Sequence, residues 1–218
     1  MKAMTVLMDN GGVLIDGILM VLALTGASLL FALPIGTVLA VMRSAPGRGL
    51  RAAGGLYVDI FRNTPLTVLF FFSAFVLPTL GMTFSYFTYA VIALVVYYSA
   101  FFCEAVRAGM NLVPRGQIEA ARAIGLPFGA MLHEIILPQA LRYAFAPLVN
   151  VVIALIKSTA IASAFGVAES VSTMELLVLR EGDAVFTILL VTCLLYLFIT
   201  LPLAFIATAV ERRLGMTP

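Results

Sequence analysis

Charge is scarce in this sequence: Asp, Glu, Lys and Arg make up 11% of its 218 residues, where soluble domains carry about a quarter. With 62% of residues hydrophobic, there is too little polar surface to face water, and the chain reads as an integral membrane protein. Histidine occurs once, at His133 in a polar connector, with no cysteine or serine partner suggested, and it reads as a surface residue. The two cysteines, Cys103 and Cys193, lie in apolar runs and read as small buried hydrophobes rather than as a disulfide or metal site. A GxxxxGK[ST] loop is missing, because the glycines of SAPGRGLRAAGG lack the lysine and hydroxyl at the required spacing. No cofactor, no metal and no enzymatic activity are therefore expected. The net charge of +2 is too small to argue for nucleic acid. The opening MKAMTVLMDNGG lacks a basic region followed directly by a cleavable apolar core, so no removable signal peptide is expected.

Long apolar runs are what the chain has instead. A spanning helix needs about twenty largely apolar residues, and five such runs stand out, at about 18–42, 64–83, 86–103, 144–164 and 184–210. The expected fold is all-α, a single membrane domain over residues 1–218 with a cytoplasmic region at about 112–138. Arg43, Arg48, Arg51 and Arg62 lie between the first two runs, and Arg107, Arg115, Arg122 and Arg142 between the third and fourth. Arg212 and Arg213 follow the fifth. These connections carry most of the basic residues, which the positive-inside rule makes cytoplasmic, with the N-terminus outside and the C-terminus inside. The segment 165–183 holds four acids, Glu169, Glu175, Glu181 and Asp183, against Arg180. It reads as an amphipathic helix at the outer face, with Val167, Val171, Met174 and Val178 on one side, packed on its own bundle or touching a partner.

Between the third and fourth runs lies EAARAIGLPFGAMLHEIILP, Glu119 to Pro138. Pro114 suits a first helical turn, Glu119 is placed to favour the positive helix end, and Gly125 offers a left-handed C-terminal cap with Pro127 blocking continuation. Ala120 and Ala121 are small enough to let another protein approach this short helix closely. The spacing runs Glu119-Ala120-Ala121, three residues, Gly125, nine residues, Ile135, one residue, Leu137-Pro138. It resembles the cytoplasmic EAA signature of permease subunits of ATP-binding cassette (ABC) importers.

Two further stretches invite a role in binding. Lys157, in Leu155-Ile156-Lys157-Ser158-Thr159-Ala160, sits inside an apolar run, where an ionisable group costs several kcal/mol unless paired and marks a functional site by default. Snorkelling to the outer interface or pairing with an acid such as Glu169 are the bland alternatives. Ser158 and Thr159 can bond their own preceding carbonyls and loosen the helix, as solute sites at mid-depth do. Arg62-Asn63-Thr64-Pro65-Leu66 places a charge, an amide and a hydroxyl before a proline. It fits a site that faces a solute, and equally a helix cap with proline in the first turn.

RNTPL, CEAVRAG, VPRGQIEAARAIGL, ILPQA, PLVN and LIKSTAIAS, between about residues 57 and 170, together resemble the polar amino acid permeases of type I ABC importers. The resemblance implies five core helices, a permease dimer of identical or homologous subunits in a cell membrane, ATPase subunits below and an extracytoplasmic solute-binding protein above. It makes the region of Glu119, Ala120, Ala121 and Gly125 the helix that couples to the ATPase. Relatives handling arginine or histidine often carry an acid after the lysine, as in KDTSL, where this chain has Ser158. RNTPLT with KSTAIAS resembles glutamate-type permeases, so Lys157, Ser158 and Thr159, with Arg62 and Thr64 in a lesser role, are the expected solute residues. A secondary transporter or channel is the rival class. It calls for intramembrane acid or histidine relays, whereas Asp16 and Asp59 lie near the ends of runs.

Overall fold

The computed structural model describes residues 8–213, and among them every regular element is helical. The expected C-terminal position inside and N-terminal position outside fall on residues outside that range. Helix α1 is Gly11–Ser44, α2 Arg48–Asn63 and α3 Leu66–Phe71. After a π-helical turn Phe72–Val76 come α4, Leu77–Thr79, and α5, Tyr86–Asn111. The EAA region forms α6, Arg115–Ala123, α7, Phe128–Met131, a second π-turn Leu132–Ile136, and α8, Leu137–Tyr143. Helix α9, Phe145–Ser158, runs on into a 3-10 helix, Thr159–Phe165. Last come α10, Ser170–Arg180, and α11, Val185–Arg213.

Among the described residues, four helical stretches are long and apolar enough to cross a membrane, and α2 with Leu66–Thr79 makes a fifth if that bent pair is one span. The 34 residues of α1 rise about 50 Å at roughly 1.5 Å each, more than the ~30 Å hydrocarbon thickness of a membrane. The run expected at 64–83 is helical over Leu66–Thr79. Pro65, in extended conformation (ψ 132°), starts it, and left-handed Gly81 (φ 83°) ends it.

Both π-turns have the same cause. Pro78 and Pro138 each follow a leucine, lack an N–H, and would push their rings into the carbonyl four residues back. Widening the turn removes the clash: the Leu77 amide bonds the Phe72 carbonyl, and the Leu137 amide bonds the Leu132 carbonyl.

The chain divides into two compact units. One comprises Met1–Leu30, Pro65–Val95 and Val152–Leu203, the other Phe31–Thr64, Val96–Val151 and Ala204–Pro218. The core of the second joins Leu39 and Ala40 of α1, Val58 of α2, and Ala100, Cys103, Val106 and Met110 of α5 to Val113, Ala121, Met131, Ile136 and Ala140 of the EAA region. Glycine brings its backbones together. A Cβ on Gly36 would lie 2.7 Å from the Ser99 carbonyl oxygen, and one on Gly109 would lie 2.1 Å from that of Ala140. Small residues at such crossings are how helices pack where lipid offers no hydrophobic contrast. In the first unit Leu14, Leu177, Ala184 and Ile188 form a smaller cluster with Met174 and Val178 against it. The fully buried positions of α10 are Ser170, Thr173 and Leu177, while of the expected stripe Val167 is buried and Met174 and Val178 are partly buried against the cluster. Gly17 makes room for Ser170 and Thr173: its Cβ would meet the Ser170 Cα and the Thr173 Oγ1 at 3.0 Å.

Gly109→Val is expected to lower thermal stability in detergent by the equivalent of about 1–3 kcal/mol or to abolish folded yield, since the Ala140 backbone cannot withdraw. Gly129→Ala, where a Cβ meets nothing within 4 Å, serves as the control and should melt within a degree or two of wild type, at about the ±0.5 kcal/mol of ordinary surface changes. Melting curves on the purified protein decide between them.

Candidate functional site

The helix of the EAA region has one face anchored in a core and the other exposed. Helix α6 begins at Pro114, whose extended backbone (ψ 127°) supplies no side-chain cap. At its far end Gly125 is left-handed (φ 77°). The Leu126 amide bonds the Ala121 carbonyl and the Gly125 amide that of Arg122, both at 3.0 Å. That pair of bonds is the Schellman closure, and it fixes where the helix stops. Glu119 falls beyond the first turn, which holds no acid and starts with Arg115. The helix-dipole role expected for it is thereby corrected, since that effect fades within one turn. Ala121 is buried in the core of its own unit, so of the two alanines only Ala120 faces outward. Glu119, Ala120 and Gly125 are exposed, beside Ile124, which is 76% exposed although apolar. His133 is exposed too. The Gln139 side-chain Nε2 donates to Gln117 Oε1 at 2.6 Å and ties α8 to α6.

Lys157 lies in the last turn of α9 and is exposed, and among the described residues it has no ion-pair partner. Glu169, the partner weighed from sequence, is engaged elsewhere. Its carboxylate accepts the amides of Val171 (2.9 Å) and Ser172 (3.0 Å) and the Tyr196 hydroxyl (3.1 Å). Burial pushes this carboxyl up from its ordinary value, while the amide and tyrosine bonds pull it down. Directly after Lys157 the chain tightens into seven residues of 3-10 helix, long for that conformation and a common mark of a functional hinge. Thr159 is fully buried, and its hydroxyl donates to the Ile156 carbonyl at 2.7 Å. That is the local back-bond expected from sequence. Phe165 closes the 3-10 stretch, its ring 5.2 Å from Phe70 and 4.9 Å from Phe71. Left-handed Gly166 follows, with the Tyr86 ring directly above it.

Arg62 sits in the other unit, in a charged cluster that sequence did not reveal. Its Nη1 is 3.3 Å from Glu104 Oε1, which also binds Arg43. The Arg62 guanidinium lies 5.5 Å from the centre of the Phe101 ring. A cleft of about 230 Å³ lined by Val58, Asp59, Arg62, Asn63 and Phe101 opens here. Thr64 does not cap α3: its hydroxyl donates back to the Ile60 carbonyl at 2.9 Å and closes α2, and Pro65 holds the cap position. The only sequence sign of Glu104 was its place in CEAVRAG.

Long apolar helices and the exposed helix of the EAA region define a membrane permease of the ABC-importer class. The family model described as the binding-protein-dependent transport system inner membrane component matches residues 32–216, and the chain belongs to that family. The glutamate transport system permease protein of Corynebacterium glutamicum is 36% identical over 95% of this chain and 96% of its own length. The probable glutamine ABC transporter permease protein of Bacillus subtilis is 36% identical over 96% and 97%. A putative glutamine transport system permease protein of Rickettsia bellii is 34% identical over 92% of each chain. Among solved structures, an amino acid ABC transporter crystallised with histidines matches with a TM-score of 0.85 and 28% identity, covering 95% of this chain and 96% of that one. The methionine transporter MetNI, in an inward-facing form, shares the fold, with a TM-score of 0.71, 24% identity and coverage of 93% and 98%.

Gly125→Pro is expected to leave the permease assembled with its ATPase but to cut solute uptake per ATP hydrolysed by an order of magnitude, since Pro cannot adopt positive φ and the closure of α6 is lost. Uptake and hydrolysis measured on the same proteoliposomes give the ratio. Uptake at the wild-type ratio would remove α6 from the coupling path.

Proposed function

We propose that this chain forms, with a second permease subunit, the translocation path of an ATP-driven importer for glutamate or a closely related amino acid such as glutamine. Separate ATPase subunits seat on α6 through Glu119, Ala120 and Ile124, and an extracytoplasmic binding protein delivers the solute. ATP is hydrolysed on those subunits. The observation that carries the solute assignment is Lys157: a cation with no acidic partner among the described residues, near the junction of an α-helix with a 3-10 helix. Every free amino acid brings a carboxylate, and glutamate brings two, so a charge-assisted bond to Lys157 compensates both partners. Ser158 stands beside it in place of the acid that a cationic solute would favour, and Thr159 shapes the turn. Relatives named for glutamate and glutamine support the same reading. Arg62 and Thr64 are secondary candidates, Arg62 because a solute carboxylate in the cleft beside Phe101 competes with Glu104 for it.

Lys157→Ala is expected to raise the apparent KM for glutamate at least about tenfold, the ~1.5–3 kcal/mol of a lost charge-assisted bond. Uptake of labelled glutamate by the reconstituted complex measures it, and an unchanged KM, or a wild-type complex that carries only arginine, would sink the assignment.

The orientation proposed places Gly47 in the cytoplasm and Gly11 and Gly182 outside, as the arginines of the α1–α2 and α5–α9 connections require. Single cysteines at these positions, in a chain freed of Cys103 and Cys193, should react with an impermeant maleimide in whole cells only at Gly11 and Gly182. Labelling at Gly47 would invert the topology.

A further inference from the structure

We infer that the cleft beside Phe101 is a second solute site, in which Asp59 and Arg62 hold the α-ammonium and α-carboxylate of a free amino acid. This rests on the reading of the chain as an amino acid permease. It is independent of Lys157, and it gives Asp59 a role that the solute assignment above does not.

The cleft is lined by Val58, Asp59, Arg62 and Asn63 of α2 and by Phe101 of α5. Its volume of about 230 Å³ falls below the ~300–1,000 Å³ of pockets for drug-sized ligands and suits one small solute. Val58, fully buried, and the Phe101 ring supply the apolar lining. The polar lining carries both signs of charge. Asp59 and Arg62 stand three residues apart on α2, a spacing at which opposite charges on a helix ordinarily meet. They do not pair. Arg62 turns instead to Glu104, 3.3 Å away, and to the Phe101 ring, 5.5 Å from its centre. Asp59 has no ion-pair partner among the described residues. Opposite charges that share a cleft and stay apart leave a place for a ligand that brings both.

Each group fits one end of a zwitterion. The Asn63 Nδ2 donates to the Asp59 carbonyl at 2.6 Å, so its Oδ1 remains an acceptor, and with the Asp59 carboxylate it suits an ammonium, which has three donors and no acceptor. Arg62 carries five N–H donors in a planar fork that a carboxylate engages with both oxygens. Its tie to Glu104 is shared, because the same Oε1 accepts a hydrogen bond from Arg43. Two guanidinium groups thus divide one carboxylate, and an incoming carboxylate neutralises the positive charge in excess. Asp59 then balances the ammonium. A dicarboxylate without an amine gains the arginine but meets Asp59 as a like charge, so the cleft selects the α-amino acid group rather than acidity. In the proposed orientation the α1–α2 connection is cytoplasmic, which makes this a site the solute meets on leaving.

Gly55→Cys supplies the reporter, one helical turn before Asp59 on the same face of α2, where a Cβ meets nothing within 4 Å. It is placed in a chain with the exposed Cys193 changed to serine and the buried Cys103 kept. The permease–ATPase complex is purified in detergent, co-purification of the ATPase reporting assembly, and its rate of maleimide labelling is followed against rising solute. The solutes are glutamate, glutamine, glutarate, which lacks the ammonium, alaninamide, which lacks the carboxylate, and phosphoethanolamine, the head group of a zwitterionic lipid. If the cleft takes the amino acid group, glutamate and glutamine slow labelling several-fold and the other three do not. Asp59→Asn and Arg62→Gln, both changes of exposed side chains, then each raise the half-protecting concentration about tenfold, the effect of a lost charge-assisted bond. Lys157→Ala leaves the protection intact. The inference is overturned if neither amino acid protects, if glutarate or alaninamide protects as well as glutamate, or if Lys157→Ala abolishes protection. Equal protection by phosphoethanolamine makes the cleft a lipid site and overturns it too. None of these results touches the assignment of Lys157, which glutamate uptake by the Lys157→Ala complex tests separately. Failure of the wild-type complex to take up any amino acid would remove the permease reading itself.

Discussion

A peptide group inside hydrocarbon has no water to bond, so every N–H and C=O of a spanning segment must find its partner in the chain. The architecture follows from that constraint. It accounts for the wholly helical elements of residues 8–213, and for the way proline is accommodated. At Pro78 and Pro138 the helix is not broken but widened, so that the neighbouring leucine amide reaches one carbonyl further back. Hydroxyls obey the same rule. Thr25, Thr37, Thr192, Thr200 and Thr208 each donate to the carbonyl four residues earlier, which hides a polar group inside its own helix. Few polar side chains are left to reach sideways, and those that do mark the places where helices are tied together: Tyr57 to Ser99, Glu104 to Arg43 and Arg62, Glu169 to Tyr196.

The ionisable groups fall into two kinds on this basis. Glu104 lies between two arginines, and Arg62 also faces the Phe101 ring, so charge and desolvation are offset locally. Glu169 is compensated by two amides and a phenol. Lys157, unlike Glu104 and Glu169, has no ion-pair partner or compensating hydrogen bond among the described residues. A cation left in that state in an apolar run is stabilised most by an anion arriving from outside, which is the physical content of the proposed preference for a solute with a free carboxylate.

Sequence carried the fold further than the site, and lipid is the reason. Runs of apolar residues disclosed the spans, and the glycine between Ile124 and Leu126 disclosed the end of α6, because both signals depend on backbone requirements alone. Which face of a span meets protein is a different matter. In α1 outward-facing and core-facing side chains are equally apolar, so no contrast marks Gly36 as a crossing point. In α10 the stripe of Met174 and Val178 does pack inward, but a hydrophobic pattern could not show that the hydroxyls of Ser170 and Thr173 are buried with it. Ala121 could not be told from Ala120 by composition, and only the packing against Val113 and Met131 turns it inward. The partners of Arg62 and Glu169 were illegible for a simpler cause: each is 27 or more residues away in the chain.

How a push on α6 would travel is set by these same contacts. Glu119, Ala120 and Ile124 present the outer face, while Ala121 seats the helix on Met131 and Val113, and Gln117 fastens it to Gln139 of α8. Helix α8 ends at Tyr143, and one residue later Ala144 hands the chain to α9. Gly109 of α5 presses on that joint, against the Ala140 carbonyl and Ala144. The helix after the joint is the one that carries Lys157 at its far end. In the proposed coupling role, a displacement of α6 would pass to α8 through the Gln117–Gln139 hydrogen bond and the packed cluster around Ala121, and close-packed contacts of that kind move as bodies rather than deform. A stiff cap at Gly125 is what such a lever requires: if α6 frayed, the load would be spent in unwinding its last turn instead of moving α8 and α9.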